Sequence, residues 1–153
     1  MKCEMWHFQH EDRVNCVRLH DALRLITCSD DKTLRFWDLA KGKQIQKYNG
    51  TGPFKNFDVS PNKTLLVAAS GPEISFIDFS THNENRRVMC RTPEASIEDI
   101  RFPPIGCGLV NLTETTKSSP SCYYEWPIVT GSHDGQVWVL AVEMTENAFI
   151  YKD

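Results

Sequence analysis

Short apolar runs recur along the chain and predict β-strands. The runs VNCVRL, FKNFDV and IEDIRF each have apolar residues on both faces, which is typical of a strand buried on two sides. Val17, Phe57 and Ile100 occupy the same place in these runs and are 40 and 43 residues apart. The chain therefore repeats a unit of about 40 residues.

Each unit contains further runs that predict its remaining strands. Second strands are predicted at 23–28, 65–69 and 128–130, third strands at 34–37, 74–79 and 137–142, and fourth strands at 44–48, 87–91 and 148–151. The fourth strands are short and half polar, which suits an outer edge. The third strands of the last two units are 63 residues apart at Ile77 and Leu140, so the third unit contains extra residues. Residues 103–124, rich in Pro, Gly, Ser and Thr, are predicted to form this surface insertion.

Four antiparallel strands per unit at this period predict an all-β fold of β-propeller blades. The predicted blades span residues 11–50, 51–92 and 93–153, and residues 1–10 are predicted to supply the outer strand of a preceding blade through the run MWHFQ. Closed propellers have about four to eight blades, so about three blades predict an incomplete ring. Three explanations stay open: a piece of a longer propeller, a ring completed by a second copy or by another propeller chain, and an open stack.

One unit carries a residue pattern that is more specific than its strands. His10 precedes the first strand, Thr27 lies in the second, Asp31 follows in a tight turn, and Trp37 with the aspartate after it ends the third. By this pattern the chain resembles the WD-repeat family, whose fold is the WD40-type β-propeller. The resemblance implies that His10, Thr27, Asp31 and Trp37 form a structural tetrad, a buried hydrogen-bond chain that links the loop to the strands. The competing interpretation of His10 and Asp31 is a catalytic acid–base pair.

The other two units depart from this pattern. Gly71 and Ile77 stand at the Asp and Trp positions of the second unit, and the third keeps Thr130 and Asp134 but has Leu140 at the Trp position. Within the family, the run SDDKT before Trp-Asp, the run ISF of the second unit and the Gly-Ser-x-Asp turn of the third are similar to serine/threonine kinase receptor-associated protein-like members. A complete tetrad is therefore expected in the first unit alone.

Composition and charge exclude several classes of function. The chain has 153 residues and a formal net charge of −3, so it lacks the basic surface that direct contact with nucleic-acid phosphates or anionic membranes requires. No window approaches the roughly 18 apolar residues of a membrane span, and the N-terminal residues lack the apolar core of a signal peptide, which predicts a cytoplasmic or nuclear protein. The six cysteines have no metal-ligand spacing and are predicted to be reduced thiols. No metal or cofactor is expected.

The leading functional hypothesis is a non-catalytic scaffold or adaptor for protein–protein interaction within a larger complex. The family resemblance implies binding through the loops between strands, and the candidate contact residues there are His20, Asp21, Asn62, Lys63, Glu73 and Asp134. The alternatives are a component of an RNA-processing or translation-related ribonucleoprotein assembly, and a fragment with no independent function. The chain has no Gly-rich phosphate loop, nucleophile elbow or metal triad, so no catalytic residue is predicted.

The hydroxyl-rich insertion suggests one further hypothesis. Ser119 is followed by a proline, and a phosphate on it would add charge that changes binding. The alternative is an unmodified loop.

Overall fold

Strands form the regular secondary structure of the chain. The computed structural model describes residues 7–78, 87–91, 95–103, 125–144 and 149–151. The first sheet contains β1 (Val14–Leu19), β2 (Arg24–Ser29), β3 (Thr33–Asp38) and β4 (Lys43–Asn49). The second contains β5 (Phe54–Val59), β6 (Leu65–Ser70), β7 (Glu73–Asp78) and β8 (Arg87–Arg91), and the third contains β9 (Ile97–Arg101), β10 (Glu125–Ser132), β11 (Val137–Met144) and β12 (Phe149–Tyr151). Within these ranges no helix is long and apolar enough to cross a membrane.

Each sheet pairs its four strands antiparallel in chain order, so the predicted class, all-β with about three four-stranded blades, is confirmed. Most predicted strands differ from the observed ones by one or two residues at their ends. The largest difference is β10, which begins at Glu125 although the sequence predicts a strand only over 128–130. Pro127 lies inside β10, and proline normally weakens a strand prediction because it cannot donate to the ladder.

The predicted insertion and outer strand lie mainly outside the described ranges. Only residue 103 of the insertion 103–124 is described. Residues 7–10, the described part of the predicted N-terminal strand, carry no strand.

The first strand of every sheet contains the same irregularity. The pairs Val14–Ser29, Phe54–Ser70 and Ile97–Ser132 are each followed by one extra residue on the first strand, a β-bulge. The extra residues are Asn15, Lys55 and Glu98. This shared bulge makes the three sheets equivalent residue by residue, so positions can be compared between them without ambiguity.

Two apolar clusters hold the sheets together. Ile26, Leu34 and Phe36 of the first sheet pack against Phe54 and Phe57 of the second. The opposite face of the second sheet, with its own apolar side chains, packs against the third sheet. We call the face of a sheet on the side of the preceding sheet in the chain its near face. The opposite face, on the side of the following sheet, is its far face. Burial of these side chains, at about 1.5 to 3 kcal/mol each, is the main stabilising contribution.

Candidate functional site

The six predicted contact residues lie at two opposite ends of the sheets. Successive turns of an antiparallel sheet alternate between its ends. His20 and Asp21 follow β1, and Asn62 and Lys63 follow β5, so these four lie at the same end of neighbouring sheets. Glu73 begins β7 and Asp134 lies in the turn between β10 and β11, so both are at the other end. The structure thus brings four of the six together.

A groove lies between the first two sheets at the end with the four residues. Its volume is about 490 Å³, which lies within the usual range of small binding pockets. The side chains and backbone that line it come from β1, β5 and the turns after them: Val17, Arg18, Leu19, His20, Asp58, Val59, Ser60, Pro61 and Lys63. The groove is therefore part apolar and part charged, a composition that suits a peptide better than a uniformly polar ligand.

Arg18 and Asp58 form a link across the groove. The Arg18 Nε donates a hydrogen bond to the backbone oxygen of Phe57 at 3.3 Å and lies 3.7 Å from Asp58 Oδ1. The other Asp58 oxygen accepts a hydrogen bond from the backbone N–H of Phe102 at 2.9 Å. The carboxylate of Asp58 thus compensates the positive charge of Arg18 within the groove. The sequence signal for this pair is a charged residue at the same position of the first strands.

His20, a candidate contact residue from its place in a loop, is buried. Only 7% of its surface is exposed, and its backbone N–H donates to the oxygen of Arg24 at 2.9 Å, which closes the turn. Burial, together with the charge of Arg24, lowers the pKa of His20, so the imidazole is neutral at neutral pH. His20 therefore lines the groove as an uncharged residue.

Lys63 is the exposed cation of the groove. Its backbone adopts a left-handed conformation with φ of 59°, and its N–H donates to the oxygen of Ser60 at 2.8 Å. Within the described ranges its ammonium makes no ion pair, in contrast to Arg18. Lys63 therefore supplies a positive charge that the surrounding residues do not compensate.

Asp21 and Asn62 stabilise their own turns. Asp21 Oδ1 accepts the backbone N–H groups of Leu23 and Arg24 at 2.9 Å each. Asn62 Oδ1 accepts hydrogen bonds from the hydroxyls of Ser60 at 2.6 Å and Thr64 at 2.9 Å. These side chains hold the backbone that carries His20 and Lys63, as aspartate and asparagine commonly do in turns.

The candidates at the other end do not form one site. Glu73 is buried, with 7% of its surface exposed, and accepts a hydrogen bond from the Thr51 hydroxyl; its role as a contact residue stays a prediction. Asp134 is exposed and accepts the backbone N–H of Gln136 at 3.2 Å, which is a turn contact. Ser119 lies outside the described residues, and its phosphorylation stays a prediction.

Four side chains form a directed hydrogen-bond chain: one from the loop before β1, one from β2, one from the turn after β2 and one from β3. The Trp37 indole donates to the Thr27 hydroxyl at 2.8 Å, and this hydroxyl lies 2.6 Å from His10 Nε2. His10 Nδ1 lies 2.8 Å from Asp31 Oδ2. Because an indole only donates and a carboxylate only accepts, the arrangement fits a neutral histidine that accepts from Thr27 and donates to Asp31. The structure brings all four predicted residues into contact.

Asp31 is the centre of a wider network. It accepts the Thr33 hydroxyl at 2.6 Å, the backbone N–H of Glu11 at 3.1 Å, and the Arg35 guanidinium at 3.1 Å. The side chains of His10 and Asp31 are each 3% exposed. Such burial leaves no access for a substrate to this pair, which favours a structural role over acid–base catalysis. Among the described residues no group of three or more His, Cys, Asp or Glu side chains is placed to hold a metal ion.

Comparison with known proteins identifies the repeat. The family model described as "WD domain, G-beta repeat" matches residues 2–38, which include the four residues of the hydrogen-bond chain. The solved WD40 β-propeller domain of Doa1 is similar over 85% of this chain and 37% of its own, with a TM-score of 0.63 and 19% sequence identity. The chain is built from WD40-type blades.

The curated proteins that are similar to this chain are longer than it is. A WD repeat-containing protein 89 homolog from Dictyostelium discoideum is 29% identical over 63% of this chain and 26% of its own length. The human DDB1- and CUL4-associated factor 10 is 40% identical over 39% of this chain and 11% of its own length. The aligned WD40 region thus spans about a quarter or less of these two relatives. The narrower resemblance to serine/threonine kinase receptor-associated proteins gains no support from them.

The third WD40 blade retains one residue of the tetrad without its partners. By the shared register, Thr130 is equivalent to Thr27, and Leu140 is equivalent to Trp37. Thr130 is 1% exposed, and its hydroxyl has no hydrogen-bond partner among the described residues. The second blade has Ala68 at this position, which is buried in an apolar cluster. The network is therefore complete in the first blade and absent from the described parts of the other two.

This difference predicts opposite effects of one substitution at two equivalent positions. Thr27→Val leaves the Trp37 indole and His10 Nε2 unpaired and is expected to lower the free energy of unfolding by about 2 to 3 kcal/mol. Thr130→Val removes an unpaired hydroxyl and is expected to raise it by about 1 kcal/mol. Urea unfolding of both variants measures the two changes. A loss of stability at both positions would contradict the contrast between the blades.

Proposed function

We propose that the chain is a non-catalytic adaptor, in the cytosol or nucleus, that binds a segment of a protein partner in the groove between its first two blades. Lys63 carries this proposal, because it places an uncompensated positive charge beside the apolar walls of a groove that accommodates several side chains. Charge complementarity favours a peptide segment with an acidic side chain next to an aliphatic one.

The groove has a rigid frame, which suits recognition of an extended segment. Arg18 and Asp58 link the two blades across its floor, and Asn62 fixes the turn that carries Lys63. A preformed site loses less conformational entropy on binding than a flexible loop does. Affinity then depends on the contacts of the peptide rather than on ordering of the groove.

The relatives suggest a larger assembly. The factor 10 proteins of human, mouse, frog and zebrafish are named as DDB1- and CUL4-associated, and they align with 39% to 48% of this chain. We therefore extend the proposal to an assembly that contains DDB1 and CUL4. Co-purification of the tagged chain from cells tests this part: recovery of both proteins supports it, and their absence from a complex that still contains other partners contradicts it.

Charge reversal at Lys63 tests the groove. Lys63→Glu is expected to weaken partner binding by about tenfold or more, because the acidic side chain of the partner then meets a like charge. Lys47→Glu is the matched control, since Lys47 is exposed on β4 and does not line the groove. Quantitative affinity purification of the two variants gives the comparison. Equal recovery of the partners by both variants would contradict binding in the groove.

A further inference from the structure

Two apolar patches at opposite ends of the row of blades are exposed. Val14, Val17 and Leu19 on the near face of the first blade, here called the near patch, are 43%, 55% and 64% exposed. The far patch, on the far face of the third blade, consists of Val129, Val137 and Val139, which are 40%, 70% and 62% exposed. These six residues account for most of the large exposed hydrophobic side chains in the described part of the chain.

The far patch occupies positions that form blade–blade contacts elsewhere in the chain. By register, its three valines are equivalent to Ile26, Leu34 and Phe36 of the first blade and to Val67, Ile74 and Phe76 of the second. Those six residues are at most 6% exposed, because each set packs against the blade that follows. The third blade thus presents the same kind of contact surface, and none of the described residues buries it.

The near patch is the other half of the same kind of contact. Val14, Val17 and Leu19 are equivalent to Phe54, Phe57 and Val59 of the second blade and to Ile97, Ile100 and Phe102 of the third. In those two blades the set receives the far face of the preceding blade. The chain therefore exposes one copy of each half of an interface that it already makes twice internally.

We propose that a second copy of this chain docks head to tail, with its far patch on the near patch of the first copy. Two unlike patches on one chain make a heterologous interface, which closes into a ring when the rotation between copies allows. Two copies supply six blades, within the range of about four to eight blades found in closed propellers. The interface would remove both patches from water, a favourable change for surfaces of this composition. This inference goes beyond the proposed adaptor function and does not depend on the groove.

Single aspartate substitutions in the two patches test the interface. Light scattering after size exclusion is expected to give twice the monomer mass for the unmodified chain. Val139→Asp and Val17→Asp are each expected to raise the dimer dissociation constant by about 100-fold or more, because each places a charge in both contacts of the ring. Ile45→Asp is the matched control, since Ile45 is 52% exposed on β4 and belongs to neither patch. It is expected to stay dimeric.

Mixing the variants distinguishes a head-to-tail contact from a contact between like patches. Val17→Asp retains an intact far patch, and Val139→Asp retains an intact near patch. An equimolar mixture is therefore expected to form dimers again, because one of the two contacts in a mixed dimer joins two intact patches. A contact between two far patches predicts instead that Val17→Asp dimerises on its own and that mixing restores nothing. Circular dichroism verifies that each variant keeps its β structure, which is expected because all three positions are exposed.

The proposal is overturned by any of three results: a monomer at every concentration for the folded unmodified chain, equal dissociation of the Ile45→Asp control, or no recovery in the mixture. Val17 and Leu19 of the near patch also line the groove, whereas Val139 does not. Loss of self-association in Val139→Asp with intact partner binding would therefore separate this interface from the proposed function.

Discussion

Asp31→Asn is expected to lower the free energy of unfolding by about 3 to 5 kcal/mol at neutral pH. The carboxylate accepts hydrogen bonds from His10, Thr33 and the backbone of Glu11, and pairs with the Arg35 guanidinium at 3.1 Å. An asparagine of the same shape removes the charge and replaces one acceptor by a donor. Because Arg35 is 9% exposed, the loss leaves a buried cation whose other carboxylate among the described residues, that of Glu11, is exposed and 3.7 Å away. Urea unfolding at constant pH measures the change.

Asp134→Asn is the matched control, because Asp134 occupies the corresponding turn of the third blade and is exposed. Its carboxylate accepts one backbone N–H, that of Gln136. The control is expected to change stability by about 0.5 kcal/mol or less. Equal effects of the two substitutions would show that the Asp31 network does not stabilise the blade.

The effect of Asp31→Asn is expected to depend on pH. Burial opposes ionisation of Asp31, but hydrogen bonds from Thr33, from the Glu11 backbone and from His10 outweigh it and hold the pKa of this carboxyl well below its usual range. A carboxyl with a lowered pKa stabilises the fold above about pH 4, its unfolded value, and this contribution declines as the pH falls below it. The difference between Asp31→Asn and the unmodified chain should therefore shrink in acid. A difference independent of pH would contradict the role of the charge.

Phe57→Ala is expected to lower the free energy of unfolding by about 3 to 5 kcal/mol. Phe57 is fully buried between the first two blades, where it packs in one cluster with Ile26, Leu34 and Phe36. Truncation removes apolar contact area and leaves a cavity that the paired strands on both sides cannot fill. Thermal and urea unfolding measure the loss.

Val17→Ala at the equivalent position of the first blade is the control for Phe57→Ala. Val17 is 55% exposed in the single chain, so its truncation is expected to cost a monomer about 0.5 kcal/mol or less. The comparison should be made in the Val139→Asp background, where self-association is blocked. A loss at Val17 as large as that at Phe57 would contradict the burial difference between the two blades.

The repeat was predictable from the sequence because the first strand of each unit, with its bulge, recurs at a spacing of 40 or 43 residues along the chain. Val17, Phe57 and Ile100, which defined the period, lie at equivalent places in β1, β5 and β9. The four tetrad residues could be named because the WD40 pattern fixes the order of histidine, hydroxyl, carboxylate and indole along the chain. The structure places them within hydrogen-bond distance of one another.

The groove was not predictable, because it depends on how two turns pack against each other. Sequence position alone marks His20 and Glu73 as turn residues, yet each is buried in the folded chain. The interblade pair of Arg18 and Asp58 joins residues 40 positions apart, and nothing in the local pattern of either strand specifies its partner. Tertiary packing, which sequence periodicity does not encode, decided these positions.

A photo-crosslinking amino acid at position 63, introduced in cells and compared with the same amino acid at position 47, tests the proposed adaptor groove most directly. We expect a reproducible adduct with a protein partner at position 63, little or none at position 47, and the same adduct in the Val139→Asp background. No adduct at position 63, or equal adducts at both positions, would contradict the claim that this groove binds a protein partner.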